Sequence, residues 1–198
     1  MWDTTRAFGE WRAIDHDSRV FLELTTTVMN ERFDALWKEI GERPGDPDGY
    51  DEVIDIFDRE VKIQPIDYHW MLEAAVVRDA VTAFEVYLEK VGSELGHDWK
   101  MKDGKSPFWD SMTKYFATEF GLTIETERTK EIRRLRHILA HQRGELRTKE
   151  LREKYGTDPA FPRFPSHQAE LSPATVTQIL DDLGDIVRAV DSAAWTRF

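Results

Sequence analysis

Residues 133–145 read RRLRHILAHQRGE, and within them Arg136 and His141 are the pair best suited to chemistry. An imidazole titrating near neutrality can take a proton from one oxygen and give one to another. A guanidinium fork can hold two phosphate oxygens and offset the charge that builds in a transition state. Together they suit a phosphodiester. RNA supplies its own nucleophile, the 2′-hydroxyl, so such a pair needs neither a metal nor an enzyme nucleophile. Attack on the adjacent phosphorus would leave a 2′,3′-cyclic phosphate and a 5′-hydroxyl. His137 is a polar companion to the pair, and Arg133, Arg134 and Arg143 surround it as cations able to steer a strand.

Other chemistries have weaker support in the residues. The chain contains no cysteine, which removes disulfides, thiolate nucleophiles and cysteine-based metal sites. His137 and His141 form an H-x3-H pair, but position 138 is Ile where an HExxH protease has its glutamate. A third ligand would have to come from His97, His167 or a distant acid, so the reading takes no metal and no cofactor. Phosphate-binding glycine loops and nucleophile-elbow serines are absent from the sequence. The acid pairs Asp15/Asp17, Glu125/Glu127 and Asp181/Asp182 are of a kind ordinary near helix starts and on exposed faces.

The formal charge is −11, which argues against a general attraction to nucleic acid. It is unevenly spread. Residues 128–154 hold ten Lys or Arg and four acids, a net of +6, leaving −17 elsewhere. No apolar run is long enough to span a membrane and no basic-then-apolar leader opens the sequence, which sets a cytosolic expectation without membrane partners.

Helical periodicity dominates the elements that must carry these residues. Over residues 66–95, Trp70, Ala74, Val77, Val81, Phe84, Leu88, Val91 and Leu95 alternate steps of four and three, predicting a long core helix ended near Gly96. An earlier helix is expected over 17–40 with Phe21, Leu24, Val28, Leu36 and Ile40 inward. A turn-rich connector follows at 43–51, then a short helix to about Gln64. Ser106 and Pro107 read as a cap for a helix to Phe120 closed by Gly121, and Thr123 as the cap of the next, which carries the motif and has room to run on toward Lys154, with Gly144 as its weak point. A proline-containing loop covers 155–172, and Ser172 with Pro173 opens a last helix with its seam at Val176, Ile179, Leu183, Ile186 and Val190. On a wheel centred on Leu135, Ile132, Ile138, Leu139, Gln142 and Leu146 lie within about 60°, while Arg134, Arg136, His137 and His141 lie off that stripe. The expectation is one all-α domain over 1–198, a bundle of five to seven helices.

With the motif on a helix inside the basic segment, the sequence resembles the HEPN superfamily of all-helical domains, whose signature is an arginine, four to six residues, then a histidine. Here that is Arg136, the polar His137, Ile138, Leu139, Ala140 and His141. AFEVYLEKV (83–91) on a long preceding helix and a closing helix after AELSP (169–173) are similar to the layout of small bacterial members. The resemblance covers residues 66–194 and leaves 1–60 as a helical addition. It implies a metal-independent endoribonuclease of the toxin-antitoxin or phage-defence kind, with Arg136 on the scissile phosphate and His141 as general acid/base. It also implies a homodimer whose two motifs meet in one cleft around an RNA substrate, and an antitoxin or regulatory protein as a further partner. Apart from the resemblance, Glu85 on the long helix is a candidate to reach the motif helix and orient Arg136, the other and commoner reading of such a residue being a plain solvated glutamate. His141 is followed by Gln142 and Arg143, whereas the branch paired with a nucleotidyltransferase has a tyrosine two positions on. The alternative is a non-catalytic helical binding module.

Overall fold

The four-and-three spacing from Trp70 to Leu95 folds as a helix of 30 residues, about 45 Å long, whose seam residues Ala74, Val77, Val81, Phe84, Leu88 and Val91 are all buried. The computed structural model describes residues 4–41, 65–99, 107–155 and 168–197. Six helices run through them: α1 (Arg6–Gly41), α2 (Pro65–Glu94), α3 (Trp109–Phe120), α4 (Glu127–His141), α5 (Lys149–Tyr155) and α6 (Pro173–Trp195). The architecture is an all-α bundle. Among the described residues there is no strand, and an isolated bridge joins Glu145 to Gln168. No helix among them is long and apolar enough to cross a membrane.

Helix α2 is the central post. It packs against α1, α4 and α6, and its Tyr87 hydroxyl donates to the Val187 carbonyl of α6 at 3.1 Å. Residues of α1, α2, α3, α4 and α6 share one apolar cluster, with Trp11, Phe84, Phe116, Ile132 and Val187 among its members. Burial of such side chains, roughly 1.5–3 kcal/mol each, is the main force holding the helices together.

Several local expectations need correction. Helix α1 begins at Arg6, well before residue 17, because distant groups complete its N-terminus. The Thr5 hydroxyl accepts from the Phe8 N–H at 3.0 Å, and the Glu94 carboxylate at the far end of α2 accepts from Arg6 and Ala7. Thr5 in turn donates twice to the buried Asp191 of α6, at 3.0 and 2.6 Å. The earlier start changes which face turns inward. Ala7, Trp11, Ser18, Leu22, Phe33 and Leu36 are buried and lie within about 60° of Leu22. Phe21, Leu24 and Val28, expected inward, are exposed.

The α3 start shifts too: Pro107 and Phe108 precede the helix, which opens at Trp109 and closes on Gly121 in the left-handed region, φ 65°. The cap of α4 is Thr126 rather than Thr123, since the Thr126 hydroxyl accepts from the Thr129 N–H and Ile124 is drawn into the core before the helix begins. Ser172 caps α6 as its sequence predicts, accepting from Thr175 N–H with Pro173 next in line. The Ile40 side chain, the 43–51 connector, the short helix to Gln64, the Ser106 cap and residues 156–167 of the proline-containing loop lie outside the described residues.

Candidate functional site

The motif helix α4 holds its apolar face as the wheel requires. Ile132, Leu135, Ile138 and Leu139 are buried, Arg136 is partly buried, and Arg134, His137 and His141 are exposed. Arg136 and His141 therefore stand on one continuous helix, about 140° apart around its axis and about 7.5 Å along it. A single copy cannot aim both at one phosphate without a long arginine reach. The His137 and His141 rings lie one turn apart with centroids 4.7 Å from each other.

The helix stops at His141, just before the weak point at Gly144, and does not run on toward Lys154. Arg143, at φ 52°, and Gly144, at φ 78°, are both left-handed and turn the chain away. Gly144 N–H donates to the Ile138 carbonyl at 3.2 Å, and Gly144 O accepts from Ala169 N–H at 2.9 Å. Trp70 of α2 locks the turn by packing on Gly144 and donating its indole N–H to Ala169 O at 2.9 Å. Leu146, just beyond, is fully buried and anchors the return. His141 is thus presented, exposed, at a helix C-terminus beside the Arg143–Gly144 turn.

Most cations of the basic segment are paired, some with acids of the segment and others with acids outside it. Arg128 bonds Asp182 at 2.6 Å, Lys130 bonds Glu127 at 2.8 Å, Arg134 reaches Glu150 at 3.6 Å, and Arg147 reaches Glu145 at 3.0 Å. Lys149 reaches Glu153 at 3.6 Å, and Lys154 sits 2.8 Å from Glu131, whose carboxyl it holds below the usual carboxylate range. Arg152 donates to the Leu146 carbonyl. Arg133 is fixed most firmly: its Nε donates to Glu85 at 2.9 Å, and its guanidinium lies 3.8 Å above the Trp109 ring. Trp109 is held by Glu125 at 2.6 Å. The Arg136 and Arg143 side chains have no hydrogen bond or ion pair among the described residues.

This corrects the place of Glu85. It engages Arg133, not Arg136, because α2 and α4 run antiparallel, with Glu85 at the level of Arg133 and Trp70 at the level of Gly144. Arg136 lies three residues further along, about 4.5 Å, out of that register. Trp109 has no signal in the sequence because its contact with Arg133 is tertiary and leaves no local spacing, and Glu125, a member of one of the acid pairs in the sequence, acts on Trp109. Of the candidate metal partners, His97 packs between Trp99 and Tyr115, at 4.4 and 4.1 Å between ring centroids, and His167 lies outside the described residues. Among the described residues no three His, Asp or Glu gather as a metal site would need. No family model matches the sequence, and neither a curated protein nor a solved structure is detectably similar to it.

Proposed function

We propose that the protein is a HEPN-like endoribonuclease that cuts RNA without a metal, with Arg136 on the scissile phosphate and His141 as the proton-transfer group. His141 takes the proton of the 2′-hydroxyl as its oxygen attacks phosphorus, and a second imidazole, from the facing copy or from His137, gives a proton to the departing 5′-oxygen. The bond to that oxygen breaks, leaving the cyclic phosphate. The observation carrying this reading is the state of the motif helix's last turn. Arg136 and Arg143, without acid partners among the described residues, bracket two exposed histidines at the end of a helix whose other cations are committed. The angular separation of Arg136 and His141 favours a site shared between two copies.

Total RNA incubated with the protein in excess chelator tests the proposal. Wild type should yield fragments and His141→Ala none, with unchanged helical content. Mixing Arg136→Ala and His141→Ala chains should restore part of the activity, because one of the two shared sites is then intact. Intact RNA with wild type at low salt would overturn the catalytic reading.

A second reading, a non-catalytic binding module, is favoured by the internal pairing of seven of the ten cations in residues 128–154. Paired cations release few counterions on meeting RNA, so that reading expects weak RNA affinity and no cleavage.

A further inference from the structure

Helix α1 carries a second apolar stripe that the bundle does not use. Ile14, Phe21, Leu24 and Val28 are 39%, 53%, 59% and 59% exposed. Their spacing of seven, three and four is that of a heptad seam. On the helix wheel the stripe lies between about 80° and 160° from the buried Leu22 direction, so α1 presents one apolar face to the core and another beside it. The stripe borders an open groove between α1 and α2 lined by Ile14, Phe21, Ala75 and Val76, with Met71 of α2, itself exposed, one turn before Ala75. A contiguous apolar face of this kind on a chain of net charge −11 marks a contact surface.

The charges on the stripe indicate what covers it. Asp17 lies on the groove at one end, with Asp79 of α2 beside it, and Arg32 lies on the same face of α1 one turn past Val28. All three are exposed, and none of their side chains has a hydrogen bond or ion pair among the described residues. Glu31, about 100° from Arg32, lies at the other edge of the stripe, near the Leu24 direction. Acid at one end, arginine at the other and apolar residues between make the face complementary to itself turned end for end.

The geometry points to a second copy of this chain as the occupant, packed antiparallel along α1 about a two-fold axis between Leu24 and Thr25. In that register Phe21 faces Val28 of the partner copy and Leu24 faces Thr25 of the partner copy. Asp17 faces Arg32 of the partner copy, with Asp79 alongside, and the symmetry makes each contact twice. The contact does not depend on the ribonuclease reading. On α2 the residues facing α1 (Ala75, Val76 and Ala83) and those facing α4 (Trp70 and Glu85) are on opposite flanks, so pairing through α1 leaves the motif helix open.

Sedimentation of the full chain over a range of concentrations tests the pairing. Wild type should self-associate at micromolar concentration, and Leu24→Glu with Val28→Glu should halve the size of the assembly, to a monomer or, where the motif helices also pair, to a dimer, with unchanged helical content. Asp17→Arg should weaken the dimer by about tenfold, and adding Arg32→Asp should restore it, a rescue that damage to the fold would not give. A wild type that stays monomeric, as it would if another segment of the same chain or a different protein covered the stripe, overturns the proposal. So does an assembly whose size Leu24→Glu with Val28→Glu leaves unchanged, which would place the contact on another face.

Discussion

Replacing Gly144 with alanine tests how the motif helix is terminated. At φ 78° a side chain adds backbone strain of about 1–2 kcal/mol. The added Cβ would also sit 2.3 Å from Trp70 Cζ2 and 2.7 Å from Cη2, closer than any packed pair. The indole must withdraw, which strains the neighbouring core by about 1–3 kcal/mol. It also endangers the 2.9 Å bond to Ala169 O, worth about 1 kcal/mol. Alanine recovers roughly 0.4–1 kcal/mol by restricting the unfolded chain. The net loss is about 3 kcal/mol, or about 6–12 °C in Tm for a chain of this size. Denaturant unfolding followed by circular dichroism measures it. A Trp70→Ala, Gly144→Ala double variant should be less destabilised than the two single losses added together, because the clash needs both partners. A single-variant loss under about 0.5 kcal/mol, or strict additivity, would refute the assigned contact.

Two further outcomes follow from particular side chains. Glu73 is 4% exposed, its carboxyl has no ion pair or hydrogen bond among the described residues, and burial pushes that carboxyl up to about 7. The folded protein then holds a proton that the unfolded chain releases near pH 4.5, so this group's contribution to stability is fully present below that pH and is lost as pH rises toward 7. Glu73→Gln should therefore be more stable than wild type at pH 8, by up to about 3 kcal/mol, with the gap closing in acid; a pH-independent gap would contradict this. Arg143→Gly relieves a left-handed non-glycine residue, so thermal unfolding should show unchanged or slightly higher stability, up to about 1 kcal/mol, while RNA cleavage falls. A clear loss of stability would mean that the arginine, not the turn, holds this corner.

The long helices were legible because their burial is written in short-range periodicity. The α2 seam and the Ser172–Pro173 cap stand where the spacing puts them, and on α4 the wheel separated the buried Ile132, Leu135 and Leu139 from the exposed His137 and His141. What failed was set by partners far along the chain. The start of α1 depends on Glu94 and Asp191, and its inner face depends on Trp11, before the expected start. A helix with two apolar stripes also offers two candidate inner faces, and periodicity alone does not choose between Leu22 and Phe21. The Glu85 partner was misplaced for the same reason: the antiparallel register of α2 and α4 fixes it, and neither helix encodes that register by itself.

The most direct measurement uses a short RNA that wild type cuts at one position, remade with a single 2′-deoxyribose on the 5′ side of that bond, both digested in chelator with the new ends mapped. The expected result is a 2′,3′-cyclic phosphate and a 5′-hydroxyl from the all-ribose strand, no cut at the deoxy position, and neither strand cut by His141→Ala or Arg136→Lys. Cleavage at the deoxy position, or ends carrying a 5′-phosphate, would contradict attack by the ribose hydroxyl and with it the roles given to Arg136 and His141.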